Sequence, residues 1–198
     1  MMNIDFLYDF GSPNAYLVHK VLPDLAARCG ATVTWTPILL GGVFKATNNQ
    51  SPMQAFSGVA GKLAYQQVEI ARFIERHDLP FQFNPHFPVM TIGVMRGAAY
   101  AQGKDWESHY INAVFDALWV QGAKMDDPDV IAQVLTDAGL PTADIMSATQ
   151  TPEVKQALID TTSAAVDRSV FGAPTMFVGD EMFFGKDSLP DLEWRLTT

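Results

Sequence analysis

Four short stretches carry residue types that can do chemistry. "DFGSPNAYL" places Ser12 and Pro13 directly after a short apolar run, where a helical pattern begins. A helix start presents unpaired N–H groups and a partial positive charge, so it favours anions. A serine there either caps the helix or donates a hydrogen bond to an anion held above it. "FGAPTMFV" puts Pro174 at the mouth of a strand. Its X–Pro bond is compatible with cis geometry. Pro174 has no N–H, and Ala173 before it can offer its N–H and C=O to a ligand instead of the sheet. "GKDSL" is a second helix start. Asp187 there can pair with an ammonium while the helix end receives a carboxylate, which suits an amino-acid-like head group. The plainer alternative is an Asp187/Ser188 cap beside a solvated lysine. "GGVFKATNNQSP" reads as a loop from its Gly and Asn content, with Lys45 and Asn49 on the rim where α/β proteins bind ligands.

Other chemistries fit these residues poorly. A nucleophilic Ser12 needs an adjacent base. His19, the nearest histidine in sequence, lies two helical turns away, roughly 10 Å at 1.5 Å per residue. There is no G-x-S-x-G elbow. The four histidines are scattered, with no HExxH and no cysteine cluster, so no metal site is expected. Phosphate-binding glycine signatures are absent as well. Cys29 is the only cysteine, which excludes an internal disulfide and a CxxC redox pair.

The elements that must position these residues follow from the pattern. "NIDFLYDF" reads as a buried strand. Leu17, Val21 and Leu25, flanked by Val18, Leu22 and Ala26, make the apolar stripe of a helix that Pro23 should kink and Gly30 should end. "ATVTWTPIL" is a second strand, which completes a βαβ unit. The middle reads as helices over "KLAYQQVEIARFIERH", "TIGVMRGAAYAQG", "WESHYINAVFDALWVQG" and "DPDVIAQVLTDAG", interrupted by the proline-rich crossing "PFQFNPHFPV". A further helix starts at Thr151 with Pro152 in its first position, and Gly172 follows its end. "PTMFV" and "EMFF" make a hairpin across Gly179-Asp180, and a last helix begins at Asp187 or Ser188. This predicts an α/β, thioredoxin-like fold. Residues 1–40 and 170–198 form the thioredoxin-like domain and 41–169 a large helical insertion.

The 198 residues are 48% hydrophobic and 18% charged, with a formal charge of -9. That composition suits a globular chain with a sizeable core and opposes a nucleic-acid or anionic-membrane partner. No segment reads as a signal peptide or membrane span. A reducing, cytoplasmic setting is the expectation.

Taken in order and spacing, "DFGSPNAYL", "LLGGVFKATNNQSP", "PFQFNPHFPV" and "VFGAPTMFVGDEMFFGKDSL" resemble the 2-hydroxychromene-2-carboxylate isomerases and the related kappa-class glutathione transferases. Both belong to the DsbA-like branch of the thioredoxin superfamily, and the resemblance spans nearly the whole chain. It implies that Ser12-Pro13-Asn14-Ala15 stands where a CxxC would stand, with the thiol supplied by bound glutathione. By this resemblance Ser12 donates to the glutathione sulfur and favours its thiolate. Ala173 binds the cysteinyl backbone beside a cis Pro174. Asp187 and Ser188 hold the γ-glutamyl end, and Asn49 contacts the glycine side. Lys45 is a candidate for a substrate carboxylate, with Phe44 and Trp119 as candidates for an apolar wall. Two positions depart from the family: Asn48 where Gly is frequent, and Ser188 where Arg is common. The implied activity is glutathione-dependent isomerisation of a small aromatic carboxylate. Conjugation or peroxide reduction of the kappa-class kind is the alternative, and a homodimer is expected. A DsbA-like dithiol oxidoreductase would need the missing CxxC, and a non-catalytic glutathione-binding role is the remaining reading.

Overall fold

The computed structural model describes residues 1–198. β1 (Asn3–Tyr8), α1 (Pro13–Arg28) and β2 (Thr32–Pro37) form the βαβ unit, with β1 and β2 parallel. β3 (Thr175–Val178) and β4 (Glu181–Phe184) form the hairpin, and α10 (Leu189–Thr197) closes the chain. β3 pairs antiparallel with β1, giving one four-stranded sheet in the order β2-β1-β3-β4. Between β2 and β3 lie α2 (Leu40–Thr47), α3 (Pro52–Ala55), α4 (Lys62–His77), α5 (Ile92–Ala101), α6 (Glu107–Trp119), α7 (Pro128–Asp137), α8 (Thr142–Ala148) and α9 (Pro152–Asp167).

Period-two alternation divides the strands between two cores. Ile4, Phe6 and Tyr8 of β1, with Met176 and Val178 of β3, face α1, α10 and most of the inserted helices. Leu7 and Phe177 point to the opposite face, where they meet Val43 of α2, Ala165 of α9 and Val170. The inserted block therefore shares the larger core with α1 and β1. Burying an aromatic or aliphatic side chain of this kind is worth about 1.5–3 kcal/mol.

Several expectations change. "GGVFKATNNQSP" is not all loop, since Leu40–Thr47 is the helix α2. Gly42 is a packing requirement, since a Cβ there would come 3.0 Å from the Thr162 methyl of α9, whereas Gly41 faces open space. α1 runs through Pro23 as a single element, with that proline exposed. α9 ends at Asp167, and Ser169 takes the left-handed conformation (φ 66°), five residues short of the glycine that was to mark the stop. Gly172 serves another purpose, since a Cβ there would sit 3.0 Å from the Phe184 ring. The Thr151 cap is present, its side chain accepting from Val154 N–H.

Candidate active site

Ser12 is the N-cap of α1 and is 7% exposed. Its Oγ accepts from Ala15 N–H at 3.2 Å and donates to the Ala173 carbonyl at 3.1 Å. The capping reading of this serine is met. It caps the helix, and its proton rests on an acceptor of the loop before β3. The Ala173–Pro174 bond is cis. The first turn of α1 keeps free donor capacity. Pro13 has no N–H, and the Asn14 N–H has no protein acceptor. Asn14 Oδ1 is buried without a donor. A buried acceptor of this kind costs free energy unless something fills it.

Asp9 holds this corner together, and sequence reasoning gave it no role. It is 1% exposed. Oδ1 accepts from Gly11 N–H at 2.9 Å and from the Thr91 hydroxyl at 2.7 Å. Oδ2 accepts from Leu40 N–H at 2.8 Å. One carboxylate thereby joins the turn that presents Ser12 to the starts of α2 and α5. Burial raises its pKa above the usual carboxylate value, and the two backbone N–H donors and Thr91 oppose that rise. The signal was in plain view: an acid closing an apolar strand, immediately before a helix start.

The other expected contacts gather around the cis-proline loop. Asn49 Nδ2 donates to the Phe171 carbonyl at 2.8 Å. Gly185 N–H donates to the Pro174 carbonyl at 2.9 Å, which ties the turn after β4 to the same loop. That turn, Lys186–Ser188, is a single 3-10 turn leading into α10. Ser188 precedes α10 but its side chain makes no cap bond, and its hydroxyl donates to Gly185 C=O at 2.8 Å. Asp187 is paired with Lys186 at 2.6 Å, its own side chain 75% exposed. Lys186 is not the solvated lysine expected beside a cap, since it is 5% exposed.

The proposed substrate contacts fare differently. Lys45 is exposed and Phe44 half-buried, both on α2, and neither side chain bonds to Ser12 or Ala173. Trp119 has no exposed surface. It belongs to the core, where it stacks on Phe81 and its Nε1 donates to the Phe10 carbonyl at 2.8 Å. It supports the Ser12 turn from below and offers no wall to a substrate. A cavity of about 410 Å³ lies among α2, α5 and α9, lined by Leu39, Ile92, Arg96 and Leu158 among others. Neither Ser12 nor Ala173 lines it. No cluster of three or more His, Cys, Asp or Glu side chains could hold a metal.

The family model of the DsbA-like thioredoxin domain matches residues 3–197. A 2-hydroxychromene-2-carboxylate isomerase of Pseudomonas putida is 34% identical over 194 residues, which are 97% of this chain and 93% of that protein. A glutathione S-transferase kappa 1 of Caenorhabditis elegans is 25% identical over 198 residues, covering 93% of this chain and 86% of that protein. A solved structure of a 2-hydroxychromene-2-carboxylate isomerase matches with a TM-score of 0.86 at 31% identity, covering 98% of this chain and 94% of that one. The chain belongs to the DsbA-like thioredoxin family and, within it, to the group of the 2-hydroxychromene-2-carboxylate isomerases.

Proposed function

We propose that the protein is a glutathione-dependent isomerase that interconverts 2-hydroxychromene-2-carboxylate and trans-o-hydroxybenzylidenepyruvate. The observation that carries this reading is the Ser12 hydroxyl at the α1 N-terminus, 3.1 Å from the Ala173 carbonyl. Glutathione, when bound, supplies a thiol that adds reversibly to the conjugated system of the substrate, so that a double bond becomes a rotatable single bond and elimination returns the thiol unchanged. The residues fit that group. Ser12 Oγ–H and the free Asn14 N–H are two donors at a positively polarised helix end, which favours a thiolate over a thiol. When the Ser12 proton turns to the sulfur, the Ala173 carbonyl is released to accept from the cysteinyl N–H. Asp187 presents an exposed carboxylate to the γ-glutamyl ammonium. Asn49 stands on the far side of the same loop for the glycine end.

The 25% identical kappa-class relative favours a second reading, conjugation or peroxide reduction at the same site. Stoichiometry separates the two. An isomerase leaves glutathione undiminished, whereas conjugation consumes one per turnover and peroxide reduction oxidises two to the disulfide. Following the ultraviolet spectrum of 2-hydroxychromene-2-carboxylate with and without glutathione tests the first reading directly. Turnover that ignores glutathione sinks it, and turnover that consumes glutathione replaces it with the second. No helix is long and apolar enough to cross a membrane. We place the protein in the cytoplasm, a setting that its single cysteine suits. We further propose a homodimer, for which exposed Met53 of α3, Val59 of the following turn, and Tyr65 and Val68 of α4 offer apolar surface. Sedimentation measures it.

A further inference from the structure

Lys186 is the one lysine that the fold buries, at 5% exposure, in a turn facing the cis-proline loop. Burying an ammonium is costly unless it is paired and its donors are hydrogen-bonded. Lys186 has a single hydrogen-bond partner, Asp187 Oδ1 at 2.6 Å. An ammonium carries three N–H donors, so two are left without a protein acceptor. On another side the Phe73 ring lies 5.8 Å from Nζ, and its face offers no lone pair in the plane of a hydrogen bond. The pair straddles the surface, because Asp187 is 75% exposed while Lys186 is 5% exposed. An incoming group that reaches Asp187 therefore also reaches the edge of the buried cation.

The turn is held in register with the rest of the site. Gly185, at φ 81°, donates its N–H to Pro174 C=O, one residue from the Ala173 carbonyl that meets Ser12. The Ser188 proton rests on Gly185 C=O at 2.8 Å, so it reaches an anion only by leaving that acceptor. A carboxylate arriving here meets the backbone N–H groups that open the turn and one charged side-chain donor, the Lys186 ammonium.

We propose that Lys186 is a binding residue for the α-carboxylate of the γ-glutamyl group, acting beside Asp187, which takes the α-ammonium. The two side chains form a matched pair of opposite charges for a head group that carries both charges on one carbon. This deepens the glutathione reading and rests on it. It differs from a role in which Lys186 merely neutralises and props Asp187, because that role has no use for the ligand's carboxylate.

Calorimetry on the full chain separates the two roles, using glutathione and an analogue lacking the α-carboxylate, 4-aminobutanoyl-cysteinyl-glycine. Lys186→Gln should weaken glutathione about tenfold or more, the scale of one charged hydrogen bond. It should leave the analogue within about twofold of wild type, and Lys186→Arg should restore most of the glutathione affinity. Equal weakening of both ligands, or no weakening, overturns the proposal while the glutathione reading stands. Wild-type protein that binds no glutathione overturns both. A measurement without substitutions guards against a misfolded variant. In wild-type protein with ¹⁵N-labelled lysine, glutathione should shift the Lys186 Nζ resonance and the analogue should not. Equal shifts, or none, count against it.

Discussion

Ser12 and His19 sit on the same helix, and their polar groups are engaged in opposite ways. His19 is 6% exposed and fully satisfied. Trp35 Nε1 donates to its Nδ1 at 3.1 Å, and Nε2 lies 2.8 Å from Asn112 Oδ1. The indole can only donate, so Nδ1 carries no proton and Nε2–H donates to the amide oxygen. Phe115 stacks on the ring at 4.9 Å. Burial pushes the pKa down to about 4, against the smaller opposing effect of Asn112. The ring is a neutral structural part with no free valence. Ser12 also has two hydrogen bonds, but one ends on a loop carbonyl that a ligand's N–H can take over. The more reactive side chain of the two is thus the inert one. What distinguishes a working polar group here is an exchangeable partner at a polarised helix end.

The largest expected effect follows from that difference. Ser12→Ala should lower glutathione-dependent kcat/KM by about 10²–10³, the scale for removing one donor to a developing anion. Its stability should fall by only about 1 kcal/mol, the usual value of a cap. His19→Gln, assayed at pH 7.5, should stay within about threefold of wild type, because a neutral donor and acceptor are retained. Equal losses in the two variants would erase the distinction between them.

The next effect is on stability against pH. The folded-state pKa of His19 is depressed to about 4 from 6.5, so the unfolded chain binds more protons between those values. Stability from His19 is present above about pH 6.5 and is lost as pH falls towards 4. The shift corresponds to something on the order of 3 kcal/mol. Asp9 bends the curve the other way. Its folded pKa is raised above 3.8, so its contribution declines as pH rises through the window above that value. Urea unfolding from pH 7.5 to 4.5 should show a slope that His19→Gln flattens. An unchanged slope in that variant would place the titrating group elsewhere.

Asp9→Asn should cost about 2 kcal/mol. A carboxamide has one acceptor oxygen, so it must leave either Gly11 N–H or Leu40 N–H facing an NH2 group. Activity should fall with it, since the same oxygens set the Ser12 turn. A variant with wild-type stability would mean that α2 and α5 are held by other contacts.

The misses among the sequence expectations share a cause. The βαβ unit, the hairpin and α9 were legible because periodicity, caps and turn residues agree with one another in each. α2 was hidden because two adjacent glycines argue against a helix at about 1 kcal/mol each. Tertiary bonds overrule that preference: Asp9 takes Leu40 N–H, and the Thr162 hydroxyl takes Leu39 N–H at 3.0 Å. Buried Lys186 has the Phe73 ring, more than a hundred positions away, 5.8 Å from its Nζ, and no local pattern encodes that meeting. Ser12 and Ala173 meet across 161 positions, so their pairing was available only through the family resemblance.

Lys45 carries the smallest expected effect and the sharpest test of where the substrate carboxylate rests. It is exposed and makes no salt bridge, so Lys45→Ala should change stability by no more than about 0.5 kcal/mol. If it holds the substrate, KM for 2-hydroxychromene-2-carboxylate should rise about threefold to tenfold while kcat stays nearly constant, the signature of lost uniform binding. Trp119→Phe should behave in the reverse sense. The Phe10 carbonyl would lose its donor inside the core, so stability should fall and kcat should follow the disturbed Ser12 turn, with KM little altered. A rise in KM confined to Trp119→Phe would return the indole to the substrate wall and remove Lys45 from it.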